Sequence, residues 1–536
     1  MSARPAPARF LVVGAGSRGT AYAKAIQSAT AGVVAAVAEP DAYKRRRFGE
    51  RFIWGSGGAA SAGQAFADWR EFVVFEQSRQ DALAAVETEN DRAGGDAESR
   101  PGVLGVDAVF VCVLDEMHRD VVVGLRPLGL HVMCEKPLAT TLRDCIDMYR
   151  ALRAPPGSGQ RQQRVFAIGH VLRYSPHNVL LRRLLREDKA IGDVLSAVHT
   201  EPVGWWHFAH SYVRGNWRRE DCSAPALLTK SCHDIDLLLW LLCSPVRAGA
   251  GRAHEPSAVS SVGGVQQFRR ARKPAEAGAA TNCTRCAIGD DGCIFSAKRV
   301  YLGPELQGVG TGNTGWPVKI VVPDIEAYPT LETRRAAVLA ELERDYTPDT
   351  PDAVVRAQNW FGRCVFDGDN DVCDEQVVTM QWEDDQDTGS GADDADRGAR
   401  LAKTATFHMV AQTQQICQRY SRFYGTRGEL TADSRTICVT DFRTGEVTRF
   451  DAAAAADTGH GGGDVGLAAQ FVAAVEAVKS GAMVAEEAQA RFVGCTLEEV
   501  LRSHAMVFAA EEARRGKKVV EWKRWWETEV EAALRE

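Results

Sequence analysis

The sequence predicts an α/β protein: an N-terminal domain with a parallel sheet, then a second α/β domain built on a mainly antiparallel sheet. Three observations predict it. Strand-like and helix-like stretches alternate through the first 150 residues, the pattern of a parallel sheet with crossover helices. After residue 165, β-rich runs with period-two alternation follow one another, with little helix between the later ones. From Gly466 the chain is helical again. A length of 536 residues exceeds what one hydrophobic core commonly serves. The expected division is 1–150, 165–465 and 466–536, with the last segment packing on both domains.

Each element has a local reason. FLVVGAGSRG is a strand running into a glycine turn, Thr20 to Ala31 is alanine-rich and suits a helix, and VVAAVAEP is a second strand. DAVFVCVL (107–114) and LHVMCEKP (130–137) are apolar enough to be buried strands, joined by the helical crossover HRDVVVGLRPLG. Asp81 to Gly102 is polar and glycine-rich and reads as an insertion or loop. RAPPGSGQRQQR (153–164) reads as a surface loop before the strand VFAIGH. In the second domain VLSAVHTEP, KIVVP, QVVTMQW, TATFHMVAQT and RTICVTDF are expected strands. The acidic stretch 384–400 is an expected hairpin loop. LAAQFVAAVEAV and LEEVLRSHAMVFAAEEARRG are expected helices.

Composition excludes several classes. A net charge of −7 argues against a nucleic-acid or anionic-membrane binder, which needs a basic surface. The sequence holds no apolar run long enough to span a bilayer. The start MSARPAPARF lacks the apolar core of a secretory signal, and the 14 cysteines are scattered, several within runs such as VFVCV. Both point to a cytoplasmic chain with reduced thiols.

Gly14, Gly16 and Gly19 form G-x-G-x-x-G between a strand and a helix. Glycines permit the tight turn and let the backbone approach a pyrophosphate, whose charge suits the helix N-terminus. Glu39 ends the second strand, where a carboxylate accepts ribose hydroxyls. A carboxylate there repels a 2′-phosphate, so NAD is expected over NADP, although Arg18 and the run KRRR (44–47) weaken that preference. In VMCEKPLATT, Lys136 stands between Glu135 and a proline that holds it in extended geometry. TKSCHDIDLLLWLL turns from polar to apolar, with His233, Asp234 and Asp236 in its first turns. A histidine with a pKa near 6.5 suits the exchange of a hydroxyl proton.

GAGSRG, AEP, EKPL, GHVLRYSP and SCHDIDLL, in this order and spacing, resemble the Gfo/Idh/MocA oxidoreductases, among them glucose–fructose oxidoreductase and inositol dehydrogenase. GRCVFDGDNDVCDEQVV, GTRGEL and GHGGGD extend the likeness over most of the chain. The resemblance implies a Rossmann domain and a second domain whose open, mostly antiparallel sheet serves a homodimer or homotetramer. It implies an NAD(P)-dependent oxidoreductase acting on CH–OH groups of sugars, polyols or derivatives. Ser17, Arg18, Leu114, His118, Glu135 and Lys136 would line the cofactor, with Lys136 also polarising the reacting oxygen and His233 handling the proton. The family's histidine usually follows an aspartate four residues earlier. That position is Thr229 here, so Lys230 is expected to take over part of its role.

Substrate-side expectations fall on Arg173, Tyr174, Trp217, Asp234 and His460. The aromatic segment 201–220 suits either a carbohydrate pocket or packing between domains. Two further readings stand beside the dehydrogenase: a redox-neutral, NAD-containing glycosidase or lyase of the same family, and a non-catalytic nucleotide-binding sensor. Finally, Cys283, Cys286 and Cys293 form C-x2-C-x6-C. Structural zinc, free thiols and a disulfide all remain open, and His254, Cys222, Cys364 and Cys373 are the candidate fourth ligands.

Overall fold

The computed structural model describes residues 6–93, 105–153, 164–245, 252–385, 400–452 and 459–536. The expected loops at 153–164 and 384–400 fall outside it for residues 154–163 and 386–399. Six parallel strands form the first sheet: β1 (Arg9–Val13), β2 (Val33–Ala38), β3 (Ala65–Phe66), β4 (Ala108–Val111), β5 (His131–Cys134) and β6 (Phe166–Ile168). Their order is β3-β2-β1-β4-β5-β6. The strand order reverses beside β1, the crevice where open α/β sheets bind ligands. β6 comes from VFAIGH and pairs in parallel with β5, so the first sheet takes in residues 166–168.

The second sheet has nine strands: β7 (Val194–Pro202), β8 (Ala258–Gly264), β9 (Glu375–Trp382), β10 (Lys403–Val410), β11 (Tyr420–Gly425), β12 (Gly428–Ala432), β13 (Thr436–Asp441), β14 (Val447–Asp451) and β15 (Val520–Glu521). The order is β14-β13-β12-β11-β7-β10-β9-β8-β15. Only β7 and β10 run parallel; the other neighbours are antiparallel.

The chain ends by returning to both domains. Helix Gly463–Lys479 drives Phe471 against Phe110, ring centroids 5.3 Å apart, and Phe110 in turn meets Phe10 of β1 at 5.6 Å. Helix Leu497–Gly516 starts on a capping box, Thr496 with Glu499. It buries His504 and Glu511. Then β15 joins the edge of the second sheet.

Two expectations fail for identifiable reasons. KIVVP was expected as a strand, but Val318–Val321 is a short helix. Val318, Val321 and Val322 are buried together in the core of the lobe between β8 and β9, an i, i+3, i+4 spacing that only a helix presents on one side. Of the expected loop 81–102, residues up to Ala93 continue the helix Trp69–Ala93. Its polar residues include the pair Arg79–Glu76, 2.5 Å apart one turn from each other.

Candidate active site

The glycine turn leaves no room for side chains at two positions. A Cβ on Gly19 would lie 2.0 Å from the Gly14 carbonyl oxygen, and one on Gly14, at φ +94°, would lie 2.5 Å from Cys112 O. Gly16 has open space where its Cβ would project. That is the arrangement a pyrophosphate needs: two glycines fixing the turn and one leaving the approach clear. Glu39 reaches back to this turn, its carboxylate accepting from Ala15 N at 2.8 Å and Asp41 N at 3.0 Å. Arg45 of the basic run donates to the Glu39 main-chain carbonyl. Leu114 is 50% exposed at the end of β4, on the same rim of the sheet.

Arg18 ties three parts of the chain together. Its Nε lies 2.7 Å from Glu135 Oε1, and its Nη2 lies 2.7 Å from Tyr22 Oη and 2.8 Å from Asp464 Oδ1. Tyr22, one helical turn after Arg18, donates to the same Glu135 oxygen at 2.7 Å. Burial alone would raise the Glu135 carboxyl, but Arg18 and Tyr22 outweigh it and hold the group below its usual range. Asp464 also meets His460 Nδ1 at 3.0 Å, and His460 sits at φ +51° in the GHGGGD turn. The glycine turn, the E-K-P turn and the GHGGGD loop are thereby fastened to one another.

Lys136 follows Glu135 through a cis peptide to Pro137. It is half-buried, and its Nζ donates to the main-chain carbonyl of Thr229. Among the described residues no carboxylate pairs with it. Thr229 therefore meets the lysine with its backbone rather than its side chain. His118, expected along the cofactor, is fully buried instead, and its Nδ1–H donates to Pro137 O at 2.7 Å. It braces the turn from behind.

Lys230 is charged and already engaged by its partners. Its Nζ lies 3.0 Å from Cys417 Sγ and 3.1 Å from Glu201 Oε1. Burial opposes its charge, but Cys417 and Glu201 prevail and its pKa rises above the ordinary lysine value. A permanently charged lysine stabilises negative charge and cannot serve as a base.

His233 is buried, and its Nε2 accepts from Arg419 Nη2 at 2.7 Å. Burial first, then the neighbouring Arg419 and Lys136, lower its pKa well below the usual value despite the opposing Asp234, so the imidazole is neutral. Arg419 Nε also lies 2.5 Å from Asp234 Oδ1 and 3.1 Å from Glu201. Asp234 takes a further bond from His199 Nε2 at 3.1 Å, which places it in a buried network rather than against a substrate. A cavity of about 350 Å³ opens beside this network, lined by Leu172, His199, Cys417, Arg419, Ser434 and His460 among others.

Arg173 and Tyr174 lie elsewhere. Arg173 is buried in a two-pronged pair with Asp236, at 2.7 and 2.8 Å, and the Tyr174 hydroxyl donates to Val493 O at 2.7 Å. Both hold the domains together instead of facing the cavity. The aromatic segment divides. Trp206 packs at a 35° tilt against Trp316 with centroids 5.1 Å apart and His210 meets Tyr301 Oη at 2.9 Å, which is packing. Trp217 Nε1 donates to Asp115 Oδ2 at 2.9 Å, next to the end of β4. Asp115 is buried, and burial raises its carboxyl above the usual range.

Asp115, Glu201, Cys417, Arg419, Asp464 and Tyr22 were not expected from the sequence. Tyr22 and Asp464 carried a readable signal, the i+4 position after Arg18 and the end of GHGGGD. The others stand in no motif.

Residues 8–156 match the model described as "Oxidoreductase family, NAD-binding Rossmann fold". A 1,5-anhydro-D-fructose reductase of Ensifer adhaerens is 29% identical over 35% of this chain and 56% of its own length. An inositol 2-dehydrogenase of Acidothermus cellulolyticus is 35% identical over 29% of this chain and 42% of its own. A 2,7-anhydro-N-acetylneuraminate hydratase of Escherichia coli K12 is 28% identical over 26% and 34%. The chain thus spans between a third and somewhat over half of these relatives. Among solved structures, a levoglucosan dehydrogenase in complex with NADH and levoglucosan covers 96% of this chain and 99% of its own, with TM-score 0.54 and 14% identity, a likeness of fold. With the glycine turn, Glu39 and the E-K-P turn in place, residues 8–156 match the NAD-binding Rossmann domain of the Gfo/Idh/MocA oxidoreductases.

Proposed function

We propose that the protein is an NAD-dependent oxidoreductase acting on a CH–OH or carbonyl carbon of a sugar, polyol or derivative. The observation that carries the reading is Lys136: an ammonium with only a carbonyl partner, set directly after the glutamate that anchors Arg18 of the glycine turn. Gly14, Gly16, Ser17, Gly19, Glu39 and Leu114 would hold NAD, which when bound exchanges a hydride with the substrate carbon. Lys136 holds the substrate oxygen and stabilises the charge that develops on it, with Lys230 adding a fixed positive field. Neutral His233 receives the hydroxyl proton. Because Arg419 occupies its Nε2, substrate must displace that guanidinium as it enters from the adjoining cavity. His460, 36% exposed at the cavity wall, and Trp217 are the further substrate contacts. A screen of polyols and aldoses for NADH formation tests the reading; no turnover of any member would contradict it.

Two consequences follow for single residues. Glu39→Ser removes the carboxylate and leaves Arg45 nearby, so NADP should gain about tenfold relative to NAD, roughly 1.4 kcal/mol. Binding titrations with both nucleotides check this; an unchanged ratio would mean that Glu39 does not face the ribose. Arg419→Met removes one positive charge beside His233, so the imidazole pKa moves up. Oxidation needs the neutral ring, and the acid limb of kcat/KM should therefore shift to higher pH, by about one unit. Arg419→Lys keeps the charge and should leave the limb where it is. Coincident limbs in all three proteins would remove His233 from the proton path.

The redox-neutral reading is favoured by one feature, the Arg18 clasp onto Asp464, which fastens a C-terminal loop across the glycine turn. Such a clasp suits a nucleotide that stays bound through repeated cycles. One matched relative is named a hydratase. NAD that co-purifies and does not exchange with free nucleotide would favour it; net NADH formation would favour the dehydrogenase.

The oligomer and the compartment are part of the same proposal. Val198, Tyr420 and Val262 share one face of the second sheet and are 41%, 47% and 69% exposed, an apolar surface suited to a homodimer or homotetramer. All 14 cysteines are free thiols, as a cytoplasmic chain would keep them. Among the described residues, no helix is long and apolar enough to cross a membrane.

A further inference from the structure

Four cysteines from two distant stretches meet around one small cavity in the lobe between β8 and β9. Cys283, Cys286, Cys293 and Cys364 line it, with Ile288 and Phe366 closing the apolar side, and its volume is about 20 Å³. The backbone builds the convergence. Asn282 and Arg363 form an antiparallel bridge, with Cys283 N on Gly362 O at 2.8 Å and Cys364 N on Thr281 O at 2.9 Å. Cys283 and Cys364 are thereby set side by side although 81 positions separate them. Cys286 follows a tight turn on Cys283 and is itself followed by Gly289 at φ +72°, while Ser296 N fixes the Cys293 carbonyl at 3.0 Å.

A second observation lies in Arg214, which is 1% exposed. Its donors go to Arg363 O at 2.7 Å, Phe295 O at 2.8 Å and Cys283 Sγ at 3.3 Å, and its Nη1 is buried without a partner. Among the described residues no carboxylate meets it. A buried guanidinium needs an anion, and the ionisable groups around this one are the thiols of Cys283, Cys364 and Cys293 and the neutral Tyr301 phenol.

We propose that Cys283, Cys286, Cys293 and Cys364 bind one Zn²⁺ as a tetrahedral four-thiolate centre, with Arg214 balancing its charge. Binding exchanges four thiol protons for the metal and leaves a centre of net charge −2, which Arg214 offsets in part. Thiolate softness and four-coordination select zinc over harder cations. The sulfurs stand wider than metal-bound spacing, since no three of them lie within 4.8 Å of one another. Side-chain rotation about the shared cavity closes that gap. The trio His170, Cys232 and His504 is tighter. However, both nitrogens of His504 are engaged, Nδ1–H on Val500 O and Nε2 by Leu138 N, each at 2.8 Å, so it holds structure rather than metal. The zinc would staple a lobe of short helical turns, and it stands independently of the hydride chemistry.

Full-length protein expressed with zinc in the medium should contain about one zinc per chain by elemental analysis, and a mercurial thiol reagent should release it. Cobalt should replace it with strong thiolate-to-cobalt absorption. Cys364→Ser and Cys286→Ser should each lose most of the metal, whereas Cys222→Ser should keep it. If the serine variants do not fold, the wild-type measurements decide alone. Absence of zinc together with no cobalt uptake after thiol reduction would overturn the proposal. So would a disulfide between two of the four, located by peptide mapping of the unreduced protein.

Discussion

Lys136→Ala is expected to lower kcat by about two to three orders of magnitude, the range seen when one preorganised donor is removed from a developing oxyanion. NAD affinity should change little, because the glycine turn and Glu39 do not depend on this ammonium. Its single bond in the resting protein goes to a backbone carbonyl, so its charge is free for substrate oxygen. Steady-state NADH formation with the best substrate, alongside NAD titration by protein fluorescence, separates the two effects. If kcat and NAD affinity fell together, Lys136 would be a structural part of the turn. If neither changed, the chemistry would lie elsewhere.

Asp236→Ala should destabilise the fold by about 3–5 kcal/mol, since it leaves the buried Arg173 guanidinium with only Glu499, 3.6 Å away, as counter-charge. Arg173 and Asp236 side chains are only 4% and 1% exposed. Burial would raise the Asp236 carboxyl, but Arg173 and then His170 hold it far below the usual range. A depressed carboxylate contributes its stability in full above the unfolded pKa, about 3.9. That contribution is lost as pH falls below this point, so the difference between wild type and variant in urea unfolding should narrow in acid. The double variant Arg173→Met with Asp236→Leu should recover most of the loss, because it removes both charges. An unchanged midpoint in the single variant, or a KM effect without a stability effect, would return Arg173 to the substrate.

The contrast between these residues shows what the sequence could carry. Gly14, Gly19 and Glu39 act within 25 residues of one another, and their spacing alone specifies a turn that excludes side chains. Lys136 is marked locally by the proline that follows it, but its role there is what the resemblance implies rather than what the spacing specifies. Its partner Thr229 lies 93 positions away, and no local pattern names it. Arg419 reaches His233 because β11 pairs with β7 in a register that sets Tyr420 against Thr200, a fact of sheet pairing that period-two alternation cannot specify. Arg173 shows the reverse failure: a charged residue after a strand end looks like a ligand contact until a buried partner 63 positions away is in view. The three local cysteines suggested a metal; only the bridge between Asn282 and Arg363 selects Cys364 from the four candidate ligands.

The most direct test of the central claim is to identify and count the nucleotide bound to the purified protein, then measure its exchange with free NAD. The account predicts one NAD site per chain, tighter for NAD than for NADP, and lost when Gly19→Ala pushes a methyl group into the Gly14 carbonyl. Binding of neither nucleotide to well-folded wild-type protein would contradict the assignment of the glycine turn and Glu39, and the roles of Lys136 and His233 with it.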